Sequence, residues 1–352
     1  MTDVRHRVAI LGATGTVGQK LVRLLAEHPW FEVAVVAASD SSAGRAYGEV
    51  VRWREATPIP DGIARLVLRS SKEPVDVPVA FSALDTTAAV ELEPIWARHG
   101  VFVCTNASPA RMDADVPLLI PEVNAPHLDL LDGQRKSRGW HGAIVANPNC
   151  TTTALVLALA PLHRAFGIDR LFVSTMQAVS GAGWPGVASL DIVGNVIPFI
   201  PNEEDKVERE TRKLLGSLNG GGIAEAQITV SAHTNRVAVV DGHTETVSIG
   251  FTRSVSPDEI RETLSCWRPE PGVAALPSTP DLPVVVDDRP DRPQPRLDLE
   301  RGGGMTVTVG RIRSCPLLHA RFVVLGHNTV RGAAGGAIQN AELAVARGAI
   351  GA

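Results

Sequence analysis

Near the amino terminus, Val8-Ala9-Ile10-Leu11, the turn GATGTVG, the segment QKLVRLLAEHP and the apolar run 31–37 follow one another without interruption. The two apolar runs are too continuous for strands with one solvated face, and between them Leu21, Val22, Leu24 and Leu25 recur at helical spacing until Pro29 ends the pattern. Strand, turn, helix, strand is a βαβ unit, and its crossover imposes a parallel sheet with helices on both faces. Gly12, Gly15 and Gly18 fall three residues apart between strand and helix. That spacing lets the backbone of Thr14, Gly15, Thr16 and Val17, and the helix N-terminus, face a pyrophosphate, so the turn reads as a dinucleotide-binding element. The second strand ends Ala37-Ala38-Ser39-Asp40-Ser41-Ser42, with Arg45 close behind. The hydroxyls of Ser39 and Ser42 and the nearby guanidinium suit the 2′-phosphate of NADP, although Asp40 is the kind of residue that meets the ribose of NAD.

Further strands at 78–84 and 101–104, separated by the helical TTAAVELEPIWARHG, extend the alternation into a doubly wound α/β domain. Beyond residue 150 the texture changes to longer, more alternating runs such as RLFVSTMQAV, HTETVSIGFT and HARFVVLGHN, the pattern of an α+β domain on a largely antiparallel sheet. At 352 residues two domains are expected: 1–149 with a returning 331–352 for the dinucleotide, and 150–330 for catalysis and dimerisation. Eight of the 25 prolines lie between Pro269 and Pro295, so that stretch is expected to be an extended surface or interface arm without central-strand pairing.

With 34 basic and 38 acidic residues the chain has a net charge of −4, which gives no reason to propose nucleic acid or an anionic membrane as partner. Neither a leader segment nor an apolar run of membrane-spanning length is seen, and the reading is a cytoplasmic protein acting on a small molecule. The four cysteines, Cys104, Cys150, Cys266 and Cys315, form no CxxC pair, and no cluster has metal-ligand spacing, so no metal is expected. Cys150 stands apart because it follows a strand and the turn Asn147-Pro148-Asn149 and opens the helix TTTALVLALAPL. A helix N-terminus favours thiolate, which makes Cys150 the candidate nucleophile, while the other three cysteines read as small apolar residues.

Taken together, GATGTVG, SDSSAGRAYG, TNASPARM, VPLLIPEVN, NPNCTT, TMQAVSGAGWPGV, NVIPFIPNEEDK, NRVAVVDGHTE, DRPQPRLD and HNTVRGAAG run in order from residue 8 to 336. In these motifs the chain resembles the aspartate-semialdehyde dehydrogenase family, more closely its archaeal and fungal branch. The resemblance implies NADP-dependent reductive dephosphorylation of L-aspartyl 4-phosphate to L-aspartate 4-semialdehyde, a step toward lysine, threonine and methionine, through a thioester on Cys150. It implies His243 as general base and acid and Gln177 as the amide that orients the acyl group. It further implies Arg236 for the substrate carboxylate, Glu203 for the amino group, Lys206 for anionic groups, and Arg111 with Asn106 for phosphate. Asn328 and the Ser180-Gly181 turn are implied near the nicotinamide, and a homodimer or homotetramer is implied as the assembly. Reductases of other activated acyl groups, such as archaeal malonyl-CoA reductase, share the scaffold, as would a silent dinucleotide sensor. Glu203 answers an α-amino group that malonyl-CoA lacks, and a sensor has no need of Cys150, Gln177, Arg236 and His243 together. Trp184, where the family often has Tyr, adjoins the glycine turn and bears on the choice of acyl group.

Overall fold

The computed structural model describes residues 5–350. Six parallel strands, β1 (His6–Leu11), β2 (Phe31–Ala38), β3 (Arg69–Ser70), β4 (Val79–Ser82), β5 (Phe102–Thr105) and β6 (Ala143–Ala146), form a sheet in the order β3-β2-β1-β4-β5-β6. The order reverses between β1 and β4, and the crevice at such a reversal is where open α/β sheets take ligands. Helix α1 (Thr16–Leu25) covers one face, and α2 (Thr86–Arg98), capped by the Asp85 carboxylate on the amides of Thr87 and Ala88, leads from β4 to β5.

Helix α3 (Cys150–Phe166) leaves β6 and is the central spine, buried continuously from Thr151 to Leu162. Its apolar side chains share one core with Ala9, Val103 and Ile144 of the first sheet and with the second sheet. The helix continues through Pro161, and packing on all sides offsets the one backbone bond the proline cannot make.

The remaining strands are β7 (Ile168–Gln177), the small hairpin β8 (Ser217–Asn219) and β9 (Gly222–Ala224), β10 (Thr229–Arg236), β11 (His243–Phe251), β12 (Val284–Asp287), β13 (Val307–Ser314) and β14 (Ala320–Gly326). Apart from the hairpin they form a sheet in the order β10-β7-β11-β14-β13-β12. Its three inner pairings are antiparallel and its two outer ones, β10 with β7 and β13 with β12, are parallel, so the sheet is mixed. One face lies against α3, α4 (Glu203–Leu214) and α5 (Pro257–Cys266). Along β7 the residues Ile168, Leu171, Val173, Thr175 and Gln177 are buried, while Arg170 and Phe172 are exposed on the other face.

The proline-rich segment is less free than an arm. Val284–Asp287, which follows Pro283 and itself lacks proline, pairs at the sheet edge, where an unused donor costs nothing. Before it, Val273 and Leu276 are buried in the core beneath the first sheet, and Ser278 donates its amide and hydroxyl to the buried carboxylate of Glu342. Glu342 belongs to α6 (Gly335–Ala346), which packs in that same core with α1. Among the described residues no helix is long and apolar enough to cross a membrane.

Candidate functional site

The end of β7 carries Gln177, the end of β10 carries Arg236 in direct register with it, and the start of antiparallel β11 carries His243. Parallel pairing of β10 with β7 and antiparallel pairing of β11 with β7 thus bring residues far apart in the chain to one end of the sheet, facing the N-terminus of α3. There the Cys150 sulfur lies 3.2 Å from Nε2 of His243. On the other side of the ring, Nδ1 accepts the amide of Ala178 at 3.1 Å, which assigns the proton of a neutral imidazole to Nε2, facing the sulfur. Burial, and then the charges of Arg236 and His327, push the imidazolium pKa down to about 3, so the resting ring is neutral.

The start of α3 is capped by Asn149, whose side-chain oxygen accepts the amides of Thr151 and Thr152, both at 3.0 Å. Its Nδ2 donates to Glu203 at 2.8 Å, and Lys206 approaches the other Glu203 oxygen at 3.6 Å. The helix N-terminus does not make the resting thiol acidic. Burial and the negative charge of Glu203 outweigh Arg111, the Thr151 amide and Arg236, and hold the Cys150 thiol up at about 12.

A cavity of about 620 Å³ opens at this point and is lined, among others, by Thr16, Val17, Asn106, Arg111, Cys150, Gln177, Ser180, Gly181, Glu203, Lys206, Arg236 and Asn328. Asn328 donates to the Ser180 hydroxyl at 2.8 Å and accepts the Gly242 amide at 2.8 Å, which ties the Ser180-Gly181 turn to the strand carrying His243. At Gly181 a Cβ would lie 2.9 Å from the Arg236 guanidinium and 3.2 Å from the imidazole, so a side chain there would shift one of these two groups. Arg111 is 7% exposed; Nη2 donates to the Asn106 carbonyl at 2.7 Å and Nη1 to Glu210 at 3.0 Å.

A neighbouring cavity of about 410 Å³ is lined by Gly12, Thr14, Gly15, Ser39, Asp40 and Lys72. Gly12 has φ +73°, and a Cβ there would meet the Ala83 carbonyl at 2.6 Å, so glycine keeps the crevice between β1 and β4 open. A Cβ on Gly18 would lie 2.3 Å from the Gly12 carbonyl, so this glycine serves helix–turn packing. Asp40, the residue that argued for NAD, is held by the Lys72 ammonium at 2.8 Å and the Ser70 hydroxyl at 2.5 Å, which keep its carboxyl below the usual range. Lys72 thereby sets an ammonium beside Asp40 in the lining of this cavity. Of the residues expected at the cofactor, two have no place in either lining: Gly18, which serves packing, and Ser42, whose amide closes a turn onto the Ser39 carbonyl at 2.9 Å.

Sequence reasoning missed Lys72, Asn149 and Glu210. Asn149 was readable as an N-cap and Glu210 as a helical neighbour of Glu203, whereas nothing local announces Lys72. Cys104 is buried, Cys266 is exposed and Cys315 is partly exposed, so the apolar reading holds for the first of these only. Trp184 lies outside both linings and is 61% exposed, with the Arg54 guanidinium stacked 3.8 Å from its ring.

Comparison with known proteins gives a consistent result. Residues 7–131 match the family model for the semialdehyde dehydrogenase NAD-binding domain, and residues 159–331 the semialdehyde dehydrogenase dimerisation domain. The chain is 51% identical over 344 residues to the aspartate-semialdehyde dehydrogenase of Archaeoglobus fulgidus, covering 97% of this chain and 98% of that one. It is 44% identical to the Schizosaccharomyces pombe protein of the same name, covering 97% and 98%. Its structure superposes with a TM-score of 0.91 on the Candida albicans aspartate semialdehyde dehydrogenase solved with NADP, at 39% identity over 98% of this chain and all of that one.

Proposed function

Because the chain belongs to the aspartate-semialdehyde dehydrogenase family, we propose a residue-by-residue division of labour for its reaction, the NADP-dependent conversion of L-aspartyl 4-phosphate to L-aspartate 4-semialdehyde and phosphate. The observation that carries the reading is the 3.2 Å approach of the Cys150 sulfur to His243 at the mouth of a cavity lined by Gln177, Arg236 and Glu203. We read the first sheet with α6 as the cofactor half and the second sheet with α3, α4 and α5 as the catalytic half, with Val273 and Leu276 of the latter packed into the core of the former.

The fit of the cavity of about 410 Å³ to NADP is supported by the open Gly12 cradle and by Lys72, which together with Ser39 offers a cation and a hydroxyl to a 2′-phosphate. Thr16, Val17, Ser180 and Asn328 line the nicotinamide end. Bound NADPH supplies the hydride that reduces the acyl group.

The protein's own part begins with substrate capture. Arg236 takes the carboxylate, a match of two parallel N–H donors to two oxygens, and Glu203 takes the ammonium. Glu203 is also the charge that most disfavours the thiolate, so its neutralisation by the substrate's ammonium lowers the thiol pKa at the moment the electrophile arrives. Cys150 bonds to the acyl carbon as the bond from that carbon to the phosphate oxygen breaks. The thiol proton leaves with the phosphate, which departs as hydrogen phosphate toward Lys206 and Arg111, while the Nε2–H of His243 donates a hydrogen bond to the sulfur as its charge develops. Gln177, 1% exposed, orients the acyl group of the resulting thioester. After reduction, collapse of the thiohemiacetal returns the thiolate, with His243 beside it to manage the proton.

The assembly is a homodimer or a tetramer of such dimers. The uncovered face of the second sheet, with Phe172 42% exposed, and the segment carrying Leu190, Val193, Val196 and Phe199, between 55% and 93% exposed, supply the apolar surface a second copy covers. The function is tested by phosphate-dependent reduction of NADP with aspartate semialdehyde. The rate is expected to vanish in Cys150→Ala, and activity retained in that variant would sink the covalent mechanism.

A further inference from the structure

We propose that Glu210 is a positioning residue for the reaction, a single buried carboxylate that fixes the phosphate-side guanidinium of Arg111 relative to the nucleophile's helix. The inference rests on the reading of Arg111 as a phosphate ligand.

Glu210 follows Glu203 by seven residues and Lys206 by four on α4, so all three share a helix face. It is 2% exposed. Oε1 accepts from Nη1 of Arg111 at 3.0 Å, and Oε2 accepts the backbone amide of Asn149 at 2.6 Å. The two donors lie 99 and 61 residues away in the chain, and each belongs to a different functional part. One is Arg111, the residue read as the phosphate ligand; the other is the cap residue immediately before Cys150. One turn further on, Lys213 donates from Nζ to the carbonyls of Arg111 at 2.7 Å, Asp113 at 2.7 Å and Val116 at 3.0 Å. The same helix face therefore clamps both the guanidinium and the backbone of the loop that carries Arg111.

A carboxylate with two N–H donors in a dry setting is a rigid joint, because moving either donor leaves a buried charge short of a partner. Simple fold stabilisation would be served by any buried ion pair. Here the joint spans the one distance that matters when Cys150 attacks the acyl carbon and phosphate leaves that carbon, the separation between sulfur and anion site. Gln cannot reproduce it, since both partners are donors and one of them would meet the amide NH₂. Aspartate keeps the charge but is one methylene too short to reach both.

The test is steady-state kinetics on Glu210→Gln, Glu210→Asp, Arg111→Ala and the double variant Arg111→Ala/Glu210→Gln, in the phosphate-dependent direction. Glu210→Gln is expected to raise KM for phosphate by about tenfold or more and to leave KM for aspartate semialdehyde within about twofold, with Glu210→Asp in between. In the Arg111→Ala background the Glu210 change is expected to add nothing to the phosphate KM, because the two residues act as one unit. A purely structural Glu210 would lower the active fraction and kcat while leaving both KM values in place, and that outcome overturns the inference. So does an effect of Glu210→Gln that persists undiminished without Arg111. If Arg111→Ala raises the phosphate KM and neither Glu210 variant does, the inference alone fails. If Arg111→Ala leaves that KM unchanged, the phosphate reading of Arg111 fails and the inference falls with it. Should Glu210→Gln not fold, Glu210→Asp carries the same comparison.

Discussion

Asn149 is the residue at which helix chemistry and substrate chemistry share one side chain, and its replacement separates the two. In Asn149→Ala the amides of Thr151 and Thr152 lose their acceptor, and loss of an N-cap costs about 1 kcal/mol. The buried Glu203 carboxylate also loses a donor at 2.8 Å, and a hydrogen bond to a charged group contributes about 2 kcal/mol. The sum is about 3 kcal/mol, which over 352 residues at about 2.1 cal/mol/K each lowers Tm by about 4 °C. Asn149→Asp keeps the capping oxygen, now charged and favoured by the helix dipole, but sets a second carboxylate against Glu203. Like charges at that distance raise the pKa of one of the two in the folded state. A raised folded pKa means that protonation favours the fold, so the deficit is relieved as pH falls and is full above the raised value. Thermal melts at pH 5, 7 and 9 should therefore show a nearly pH-independent loss for Asn149→Ala and, for Asn149→Asp, a loss that grows with pH. An Asn149→Ala variant melting within about 1 °C of the parent, or an Asn149→Asp curve parallel to the parent's, would refute the double role.

Two further outcomes follow from buried contacts. Glu245 is wholly buried on β11 with no partner for either oxygen, and burial raises its pKa well above the ordinary value. Its contribution is intact below the ordinary carboxylate pKa and is lost as pH rises toward the raised one, so Glu245→Gln should lose less Tm than the parent between pH 5 and 9; parallel curves would show that Glu245 is not the group responsible. A Cβ on Gly332 would lie 2.6 Å from the Cys150 Cβ and 2.8 Å from its Cα, so Gly332→Ala must displace the nucleophile. A shift of about 1 Å is expected to cost about a hundredfold in kcat, and retention of more than about a tenth of the parent's kcat would contradict the fixed geometry.

What was legible in the sequence was what local spacing encodes. The βαβ unit, the GATGTVG crevice and Cys150 at the head of a helix all follow from periodicity and turn chemistry within a dozen residues. Gln177, Arg236 and His243 were placed through family likeness, and the register of β10, β7 and β11 explains physically why they meet. The direction of the Cys150 pKa was not legible, because it depends on how deeply the thiol is buried and on Glu203, 53 residues downstream. Nor was Lys72 beside Asp40, a pairing across 32 residues with no repeating pattern to announce it. The proline-rich stretch reads as free from composition alone, since prolines state where a chain cannot pair and are silent on what Val273 and Leu276 will cover.

The course of the chain between its two halves has a mechanical consequence. It crosses at Asn147–Asn149 into α3, crosses back after β14 into α6, and is stitched a third time where Ser278 holds Glu342. A body joined by one thread swings like a door, but one laced at three places around a buried rod can only twist or shear about that rod. The rod is α3, and Cys150 is its first residue, so the sulfur sits close to the axis of any such motion. Cofactor and substrate can then come and go with the walls of the cleft while the reacting atom remains nearly stationary.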